Sequence, residues 1–374
     1  MSYPVVVIGA GLSGLYATRL LQQAGHKVCL IEARERMGGR VWSVSPTASE
    51  HRLDLGPAWF WPGMNPRMSS LLQKMGLASF PQHSKGAAVM EGQDGKIYKH
   101  QSSWEQSPSS YRIVGGTQAL TDALRAQFDD TVQLKTNTRV LGLKLRPHAV
   151  ELELEDTSGR WSQLASQVVV TIPPRLWAQD MALEPAWPTA MLQAMQATPT
   201  WMAGQAKFVA AYPSAFWREA GLSGDGMSQR GPMSEIHDAS DATGKQAALF
   251  GFVGASPAYR AGIGLEELKR QSLAQLVRLF GPQAATPLWH EAQDWAQEPL
   301  TAAKEDMRPL SYHPMYQEGL VPPEWRERVF LAGTERAPDH GGYLEGALES
   351  AELAVADLLK SMALLTPQTL VPNT

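Results

Sequence analysis

The sequence predicts an α/β protein with a second, α+β domain. The short apolar run Val5–Ile8 is typical of a strand that is buried on both faces of a parallel sheet. A glycine-rich turn and an amphipathic helix follow it, and a second apolar run, Val28–Ile31, comes next. This order is that of a β-α-β unit. The chain has 374 residues, which is more than one domain usually holds, so we expect two.

The turn after the first strand carries the spacing G-x-G-x-x-G, with glycines at Gly9, Gly11 and Gly14. The first glycine permits a tight turn, the second lets the backbone approach a pyrophosphate, and the third lets helix and strand pack closely. The helix predicted over residues 13–24 ends at Gly25, and its N-terminus directs free N–H groups at the phosphates. The loop therefore predicts a Rossmann-like site for a dinucleotide.

Glu32 stands at the end of the second strand, at the distance from the glycines that a ribose-binding acid requires. Its carboxylate can accept hydrogen bonds from both ribose hydroxyls and would repel a 2′-phosphate, which disfavours NADP. A glycine turn without a nucleotide is the alternative for the loop alone, and the position of Glu32 argues against it.

A basic, glycine-rich segment follows Glu32. Arg36 and Arg40 flank the Gly-Gly turn that ends in Gly39. The guanidinium fork binds phosphate oxygens through two hydrogen bonds, so both arginines are predicted to bind the pyrophosphate. Arg34 is a further candidate cofactor ligand, with a solvated surface charge as the alternative. This segment favours FAD over NAD.

Four blocks of the sequence resemble the flavin-containing amine oxidase family, which includes monoamine oxidases, polyamine oxidases and L-amino acid oxidases. The first block is the dinucleotide segment, and the second is similar to the family's D-x-G-G-x-W/Y segment beside the flavin ring. The third is similar to the family's V-G-G-x-x-x-L segment, and the fourth is a highly specific match to the family. The blocks are residues 5–40, 53–59, 114–120 and 329–335 with 342–347.

The resemblance implies a Rossmann-like FAD-binding domain with a discontinuous second α+β substrate domain. The FAD-binding domain is predicted to comprise residues 1–75, 111–178 and 320–362, the substrate domain residues 76–110 and 179–319, and a tail residues 363–374.

The resemblance also implies FAD contacts later in the chain, at Gly56, Val140, Gly333, Glu335, Tyr343 and Leu344. An ordinary surface glutamate is the alternative for Glu335. Where the family attaches flavin covalently, it uses a cysteine shortly after the tryptophan that matches Trp295. The one cysteine of this chain is Cys29, in the second strand, so FAD is predicted to be non-covalent.

Lys207 lies within an apolar, strand-like run, residues 203–212, where a lysine is costly unless it has a partner or a task. Phe216 and Trp217 follow it. The segment resembles the family segment whose lysine holds a water against flavin N5 and assists flavin reduction or reoxidation. The resemblance implies that Lys207 is catalytic, and a surface lysine on an edge strand is the alternative.

Tyr343 matches a family position whose ring stands over the flavin and flanks the substrate amine, so it is predicted to be catalytic and to contact substrate. The position of the family's second ring falls near Lys304 or Glu305, neither of which is aromatic. Trp59 and Trp61 are predicted to supply a substrate wall instead. Packing in the core is the alternative for both tryptophans.

The segment between Gly76 and Arg112 is short. Larger family members carry a long, largely helical insertion there, which forms part of their substrate cavity. We therefore expect a reduced cap and a more open cleft. Residues 86–98 are predicted to form a hairpin around Asp94-Gly95.

Composition limits the other function classes. Apolar residues make up 44% and charged residues 19%, as in ordinary globular proteins. The net charge of −4 gives no basic surface for nucleic acid. The lone cysteine fits a reducing, cytoplasmic location, and without a signal peptide or a long apolar run we expect no membrane association. No metal site is predicted, and the sequence does not indicate an oligomeric state.

The function predicted from the resemblance is an FAD-dependent amine oxidase. A small-molecule amine would transfer a hydride from its C–N bond to flavin N5 and become an imine, and reoxidation by oxygen would yield hydrogen peroxide. One alternative is an FAD-dependent dehydrogenase or desaturase with a non-oxygen acceptor. Another is a flavin-binding protein without amine oxidase activity that serves as a partner.

Overall fold

The computed structural model describes residues 3–46, 52–101, 108–308, 310, 312–317 and 319–365. The strands are β1 (Val5–Ile8), β2 (Val28–Ile31), β3 (Ser43–Val44), β4 (Leu53–Asp54), β5 (Ser79–Pro81), β6 (Ala87–Glu91), β7 (Ile97–His100), β8 (Tyr111–Ile113), β9 (Val132–Lys135), β10 (Arg139–Arg146), β11 (Ala149–Asp156), β12 (Gly159–Ala165), β13 (Val168–Val170), β14 (Ala182–Glu184), β15 (Ala206–Tyr212), β16 (Leu222–Ser228), β17 (Met233–Asp238), β18 (Ala247–Val253), β19 (Trp289–Asp294) and β20 (Val329–Leu331).

The α-helices are α1 (Leu12–Gln23), α2 (Pro66–Lys74), α3 (Gln118–Arg125), α4 (Pro174–Asp180), α5 (Thr189–Ala197), α6 (Phe216–Glu219), α7 (Pro257–Ile263), α8 (Leu265–Phe280) and α9 (Leu344–Leu365). Short 3-10 helices occur at Pro282–Ala285, Trp295–Gln297, Lys304–Met307, Pro323–Trp325 and Thr334–Arg336. None of the helices within the described ranges has both the length and the apolarity that a bilayer crossing requires.

The chain divides into two compact units. Unit 1 contains Met1–Gly39, Leu124–Pro199 and Met315–Thr374, and unit 2 contains Arg40–Ala123 and Thr200–Pro314. The predicted FAD-binding domain differs from unit 1 because residues 40–75 and 111–123 group with unit 2, whereas residues 179–199 and 315–319 group with unit 1. The assignment of one domain to the cofactor and one to the substrate stays a prediction. Of the predicted tail, residues 366–374 lie outside the described residues.

Unit 1 is built on a parallel sheet with the strand order β20–β13–β1–β2–β9, as the α/β prediction required. β1 and β2 are buried along their whole length, which explains their uninterrupted apolar sequences. Helix α1 packs on α9, and the Tyr16 hydroxyl donates to a Glu352 carboxylate oxygen at 3.0 Å. Cys29 is buried within β2.

A second, four-stranded sheet, β12–β11–β10–β14, completes unit 1. Three buried tryptophans lie in the core that this sheet shares with the parallel one. The ring centroids of Trp177 and Trp187 are 5.6 Å apart, and those of Trp187 and Trp325 are 6.4 Å apart. The large aromatic surfaces fill the space between two sheets that no continuous ladder joins.

Unit 2 is built on a seven-stranded sheet with the order β19–β15–β18–β17–β16–β6–β7. Side chains alternate between its faces, so the strand β15 contributes Phe208 and Ala210 to one core and Val209 and Ala211 to another. The first core also contains apolar residues of α8. The second contains Leu53 and residues close to it in sequence, and this face carries the candidate site.

The shortened segment after Gly76 forms strands rather than helices in its described part. β5 pairs with β8, and β6 pairs with β7 around the predicted turn, where Gly95 donates its N–H to the Gly92 carbonyl at 3.0 Å. The hairpin adds two strands to the large sheet because β6 also pairs in parallel with β16. The hairpin prediction is therefore confirmed.

One buried ion pair gives a test of the packing in unit 2. The guanidinium of Arg260 donates to both carboxylate oxygens of Asp294 at 2.8 and 2.7 Å, and also to the carbonyl oxygens of Gly204 and Ala255. Both side chains of the pair are buried. Arg270 makes an equally short bidentate pair with Glu267 on the exposed surface of α8.

We expect Arg260→Met to lower the free energy of unfolding by about 3–5 kcal/mol, because it leaves the charge of Asp294 buried without its partner. Arg270→Met should cost much less than Arg260→Met, since exposed ion pairs are weak. Urea unfolding followed by tryptophan fluorescence measures both variants. Equal losses would show that burial does not determine the contribution of the Arg260 pair.

Candidate active site

The glycine loop of unit 1 is packed so closely that two of its glycines cannot carry a side chain. Gly9 has a φ of +96°, and a Cβ there would lie 2.7 Å from Thr171 Oγ1. A Cβ on Gly14 would lie 1.8 Å from the carbonyl oxygen of Gly9. Gly11 differs, because the nearest atom to its Cβ would be the Gly38 carbonyl oxygen at 3.9 Å. The loop therefore has no space for a side chain at Gly9 or Gly14, whereas it is open at Gly11.

The open side of the loop is the N-terminus of α1. Gly11 precedes the helix, no side chain caps its first N–H groups, and its first turn has no acidic residue. Those N–H groups and the positive end of the helix dipole are free to bind an anion.

Glu32 is held beside this loop by two backbone N–H groups. Its Oε2 accepts a hydrogen bond from Ala10 N at 2.8 Å, and its Oε1 accepts one from Arg34 N at 2.8 Å. The side chain of Arg34 also comes within 3.9 Å of Oε1. The carboxylate is thus buried and fixed at the end of β2, where a ribose-binding acid is expected.

A hydrogen bond to α1 links the C-terminal block to the glycine loop region, in addition to the pairing of β20 with β13. The N–H of Gly333, which has a φ of +97°, donates to Ser13 Oγ on α1 at 3.1 Å. Thr334 Oγ1 then donates to the carbonyl oxygen of Tyr343 at 2.8 Å, immediately before α9 begins at Leu344. The Tyr343 side chain is 43% exposed.

The remaining predicted cofactor residues of unit 1 have different exposures. Glu335 is buried, which contradicts the alternative that it is an ordinary surface glutamate. Val140 is buried in β10, and Arg36 is half-buried beside the Gly38–Gly39 turn. The predicted pyrophosphate ligand Arg40 belongs to unit 2, of which it is the first residue.

The residues of unit 1 fit an adenine dinucleotide. The cradle requires glycine where a Cβ would collide, the helix N-terminus has uncapped donors for a pyrophosphate, and a fixed carboxylate ends the second strand. These are the three features that the ribose and phosphates of such a group require.

Asp54 connects two of the motif blocks inside unit 2. Its Oδ1 accepts hydrogen bonds from Ser43 Oγ at 2.6 Å, Thr117 N at 2.8 Å and Thr117 Oγ1 at 2.9 Å. Gly116, with a φ of +75°, lies against this cluster, and a Cβ there would be 2.8 Å from Ser43 Oγ. The second and third blocks therefore bind each other, which the sequence analysis did not predict.

Gly56 follows Asp54 at a close approach of two backbone segments. A Cβ on Gly56 would lie 2.0 Å from the carbonyl oxygen of Arg40. The N–H groups of Leu55 and Gly56 both donate to the Trp42 carbonyl oxygen, at 2.9 and 3.1 Å. The structure thus brings together the predicted cofactor residues Arg40 and Gly56.

Lys207 reaches the same segment from the middle of the large sheet. β15 lies between β18 and β19, and the lysine is only 3% exposed, which contradicts the alternative of a surface lysine on an edge strand. Its Nζ donates to the Gly56 carbonyl oxygen at 3.0 Å and lies 4.1 Å from the ring centroid of Phe250. Trp295 Nε1 donates to the neighbouring Leu55 carbonyl oxygen at 3.0 Å.

Burial lowers the pKa of Lys207 from 10.5 to about 7. The negative charge of Asp54 opposes this shift, and the positive charge of the buried Arg112 adds to it. Lys207 is therefore poised to exchange a proton near neutral pH, whereas an exposed lysine remains an ammonium ion.

Trp59 belongs to the surroundings of Lys207. Its ring centroid lies 5.4 Å from that of Phe250 and 5.9 Å from that of Phe252, and Lys207 Nζ lies 5.7 Å from the Phe252 centroid. The indole N–H of Trp59 donates to Gln82 Oε1 at 2.9 Å. Trp59, one of the two tryptophans predicted to wall the substrate, therefore lies among the aromatic residues around Lys207, and its contact with substrate stays a prediction.

The other predicted aromatic positions lie elsewhere. Trp61 begins the turn before α2, where its backbone N–H donates to Asn65 Oδ1 at 2.8 Å. Lys304 and Glu305 are exposed in a 3-10 helix.

A histidine between two carboxylates adjoins Trp59 and was missed in the sequence analysis. His237 Nδ1 lies 2.9 Å from Asp225 Oδ1, and Nε2 lies 2.9 Å from Glu235 Oε1. The His237 ring meets that of Trp59 edge-on, with 4.8 Å between centroids. Glu and His at alternate positions of a strand share a face, and this spacing was the available signal.

The comparisons with known proteins agree with this geometry. A family model described as flavin containing amine oxidoreductase matches residues 85–359, and one described as an NAD(P)-binding Rossmann-like domain matches residues 7–75. A probable flavin-containing monoamine oxidase A of Dictyostelium discoideum is 26% identical and covers 93% of this chain and 95% of its own. A putrescine oxidase of Kocuria rosea is 24% identical and covers 95% of each chain.

The solved structures show the same fold. The cyclohexylamine oxidase of Brevibacterium oxydans superposes with a TM-score of 0.79 at 22% identity, covering 97% of this chain and all of its own. The alignment with the Kocuria rosea protein extends over 463 positions, against 374 residues here. The relatives therefore contain residues that this chain lacks.

We expect Glu32→Arg to yield protein without the yellow colour of bound FAD, because the variant loses the ribose acceptor and the anchor of the glycine loop. Glu35→Arg makes the same change of charge at an exposed residue three positions away and should retain FAD. The ratio of flavin to protein absorbance in the purified variants measures the effect. Full FAD content in Glu32→Arg would contradict the ribose-binding role.

Proposed function

Since this chain belongs to the family of flavin-containing amine oxidoreductases, we propose that Lys207 and the aromatic wall around it form the reacting face of an FAD-dependent amine oxidase. The chain is a flavin-dependent oxidoreductase that acts on amines. The buried Lys207, bonded to the Gly56 carbonyl oxygen inside a core strand, is the observation that carries the assignment of the site.

Bound FAD would supply the redox chemistry: it would take up a hydride from the carbon that bears the amine nitrogen, leaving an imine, and would pass two electrons, with two protons, to oxygen to give hydrogen peroxide. The residues proposed to hold it around its phosphates and ribose are Gly9, Gly11, Gly14, Glu32, Arg34, Arg36, Gly39 and Arg40. Those proposed for the remainder of the cofactor are Gly56, Val140, Gly333, Glu335, Tyr343 and Leu344. The only cysteine of the chain, Cys29, is buried in β2, which supports binding without a thioether link.

Lys207 is proposed to hold a water molecule and to exchange a proton at Nζ. One of its hydrogens is committed to the Gly56 carbonyl oxygen, so the remaining positions on Nζ face away from that bond. Below pH 7 the group is an ammonium ion that stabilises developing negative charge, and above pH 7 it is a neutral amine. Lys207 therefore changes its protonation state near neutral pH.

Trp59 and Tyr343 are proposed to exclude water from the amine. Trp59 is anchored by its N–H bond to Gln82 and by contacts with Phe250, so its ring is rigid. Tyr343 is held through its carbonyl oxygen by Thr334 while its side chain stays partly exposed. Trp61 is proposed as a more distant substrate contact.

A cytoplasmic location is also part of this proposal.

An anaerobic screen tests the proposed function. Monoamines, diamines and amino acids are mixed with the purified yellow protein, and the flavin absorbance near its visible maximum is followed. We expect amines to bleach it, and admission of oxygen to restore the colour with formation of hydrogen peroxide. Absence of bleaching by every amine would overturn the proposal, and sluggish recovery in oxygen would favour a dehydrogenase instead.

Lys207→Met should retain FAD but slow the recovery of flavin absorbance in oxygen by at least about tenfold, as expected for the loss of a charged group beside the reaction. For the original protein, this rate should fall as the pH rises through about 7, because Lys207 then loses its positive charge. The variant should show no such transition. Lys245→Met, at an exposed lysine of the same unit, is the control.

A pH transition that persists in Lys207→Met would assign the titration to another group. An unchanged rate of recovery in that variant would remove Lys207 from the reaction.

A further inference from the structure

A row of paired side chains crosses the large sheet of unit 2, starting at Lys207. Lys207 pairs with Phe252, Phe252 pairs with Glu235, and Glu235 pairs with Met227. Met90 and Tyr98 continue the row on β6 and β7. Residues paired directly across strands point to the same face, so these six side chains form one line, which we call the Lys207 row.

The Lys207 row is buried at the lysine and exposed beyond Phe252. Lys207 is buried, and Phe252 is half-buried. The side chain of Glu235 is 38% exposed, and Met227 is 37% exposed. Met90 and Tyr98, at the far end, are also exposed. The row therefore runs from a buried end at Lys207 to an end that solvent reaches.

Glu235 is held in a defined orientation at the middle of the row. Its Oε1 contacts Nε2 of His237, and the other ring nitrogen of His237 contacts Asp225. Burial lowers the pKa of His237, but the two carboxylates outweigh it and raise the pKa above its ordinary value. Even with His237 protonated, two carboxylates and one imidazolium leave a net negative charge.

Aromatic rings adjoin the Glu235–His237 pair. Phe252 separates it from Lys207 in the row, and Trp59 lies against His237 and Phe252. A carboxylate next to aromatic rings attracts organic ammonium ions, because the ring faces and the carboxylate are both negative. The same charge repels a substrate that carries its own carboxylate.

We propose that Glu235 binds the distal ammonium group of a substrate with two amines and so selects diamines over monoamines and amino acids. Glu235 lies two strands from Lys207, which is about 10 Å along the row. The chain between the two amines would cross Phe252, an apolar surface that suits methylene groups. This proposal rests on the proposed function, since it requires the first amine to react beside Lys207.

The test compares straight-chain diamines with four to ten carbons and the monoamines of equal length, as substrates of the FAD-bound protein. We expect diamines to have the lower KM. Glu235→Gln should raise the KM for diamines by about tenfold, as for the loss of a charge-assisted hydrogen bond, with kcat within about twofold. The KM for monoamines should stay unchanged. Glu235→Asp, which keeps the charge, should restore part of the preference.

The control is Glu219→Gln, which removes one negative charge from an exposed position of unit 2 outside the row. It should leave both KM values unchanged. Equal KM values for diamines and monoamines, or an equal loss for both classes in Glu235→Gln, would show that Glu235 is only structural. If no amine of either series bleaches the flavin, the proposed function itself fails and this proposal fails with it.

Discussion

The buried carboxylate of Asp54 is the constraint on which the centre of unit 2 depends. It accepts three hydrogen bonds, which tie Ser43 on β3 and Thr117 before α3 to one point. The segment that follows presents the Gly56 carbonyl oxygen to Lys207 and the Leu55 carbonyl oxygen to Trp295. The negative charge of Asp54 also opposes the effect of burial on the pKa of Lys207. One side chain therefore helps to position the acceptor and also favours the charged form of the lysine.

The motif blocks that carried the resemblance have a direct physical meaning in the fold. Gly14 is needed because the Gly9 carbonyl oxygen occupies the place of a Cβ, and Gly56 is needed because the Arg40 carbonyl oxygen does the same. Gly116 leaves room for the Ser43 and Asp54 cluster. These glycines are spaced widely in sequence, yet each lies at a point where packing leaves no volume for a Cβ.

The nucleotide half of the site could be predicted from sequence because its determinants are local. The strand, turn and helix around Gly11 and the acid Glu32 lie within one β-α-β unit, where spacing alone fixes geometry. The partners of Lys207 could not be predicted in this way. The contacts of His237 depend on the register of strands, and the bond from Gly333 to Ser13 spans 320 positions. Such pairings arise from tertiary packing, which periodicity does not encode.

The chemical composition of the Lys207 row has a consequence for how long the protein stays active. Hydrogen peroxide attacks thiolates and, more slowly, thioethers. Burial raises the pKa of the Cys29 thiol, so that cysteine remains in its inert form. Met227 and Met90 are exposed and apolar, and oxidation would turn each into a polar sulfoxide. The hydrogen peroxide released by turnover can thus oxidise Met227 and Met90 at the exposed end of the row, while the buried Cys29 thiol is not oxidised.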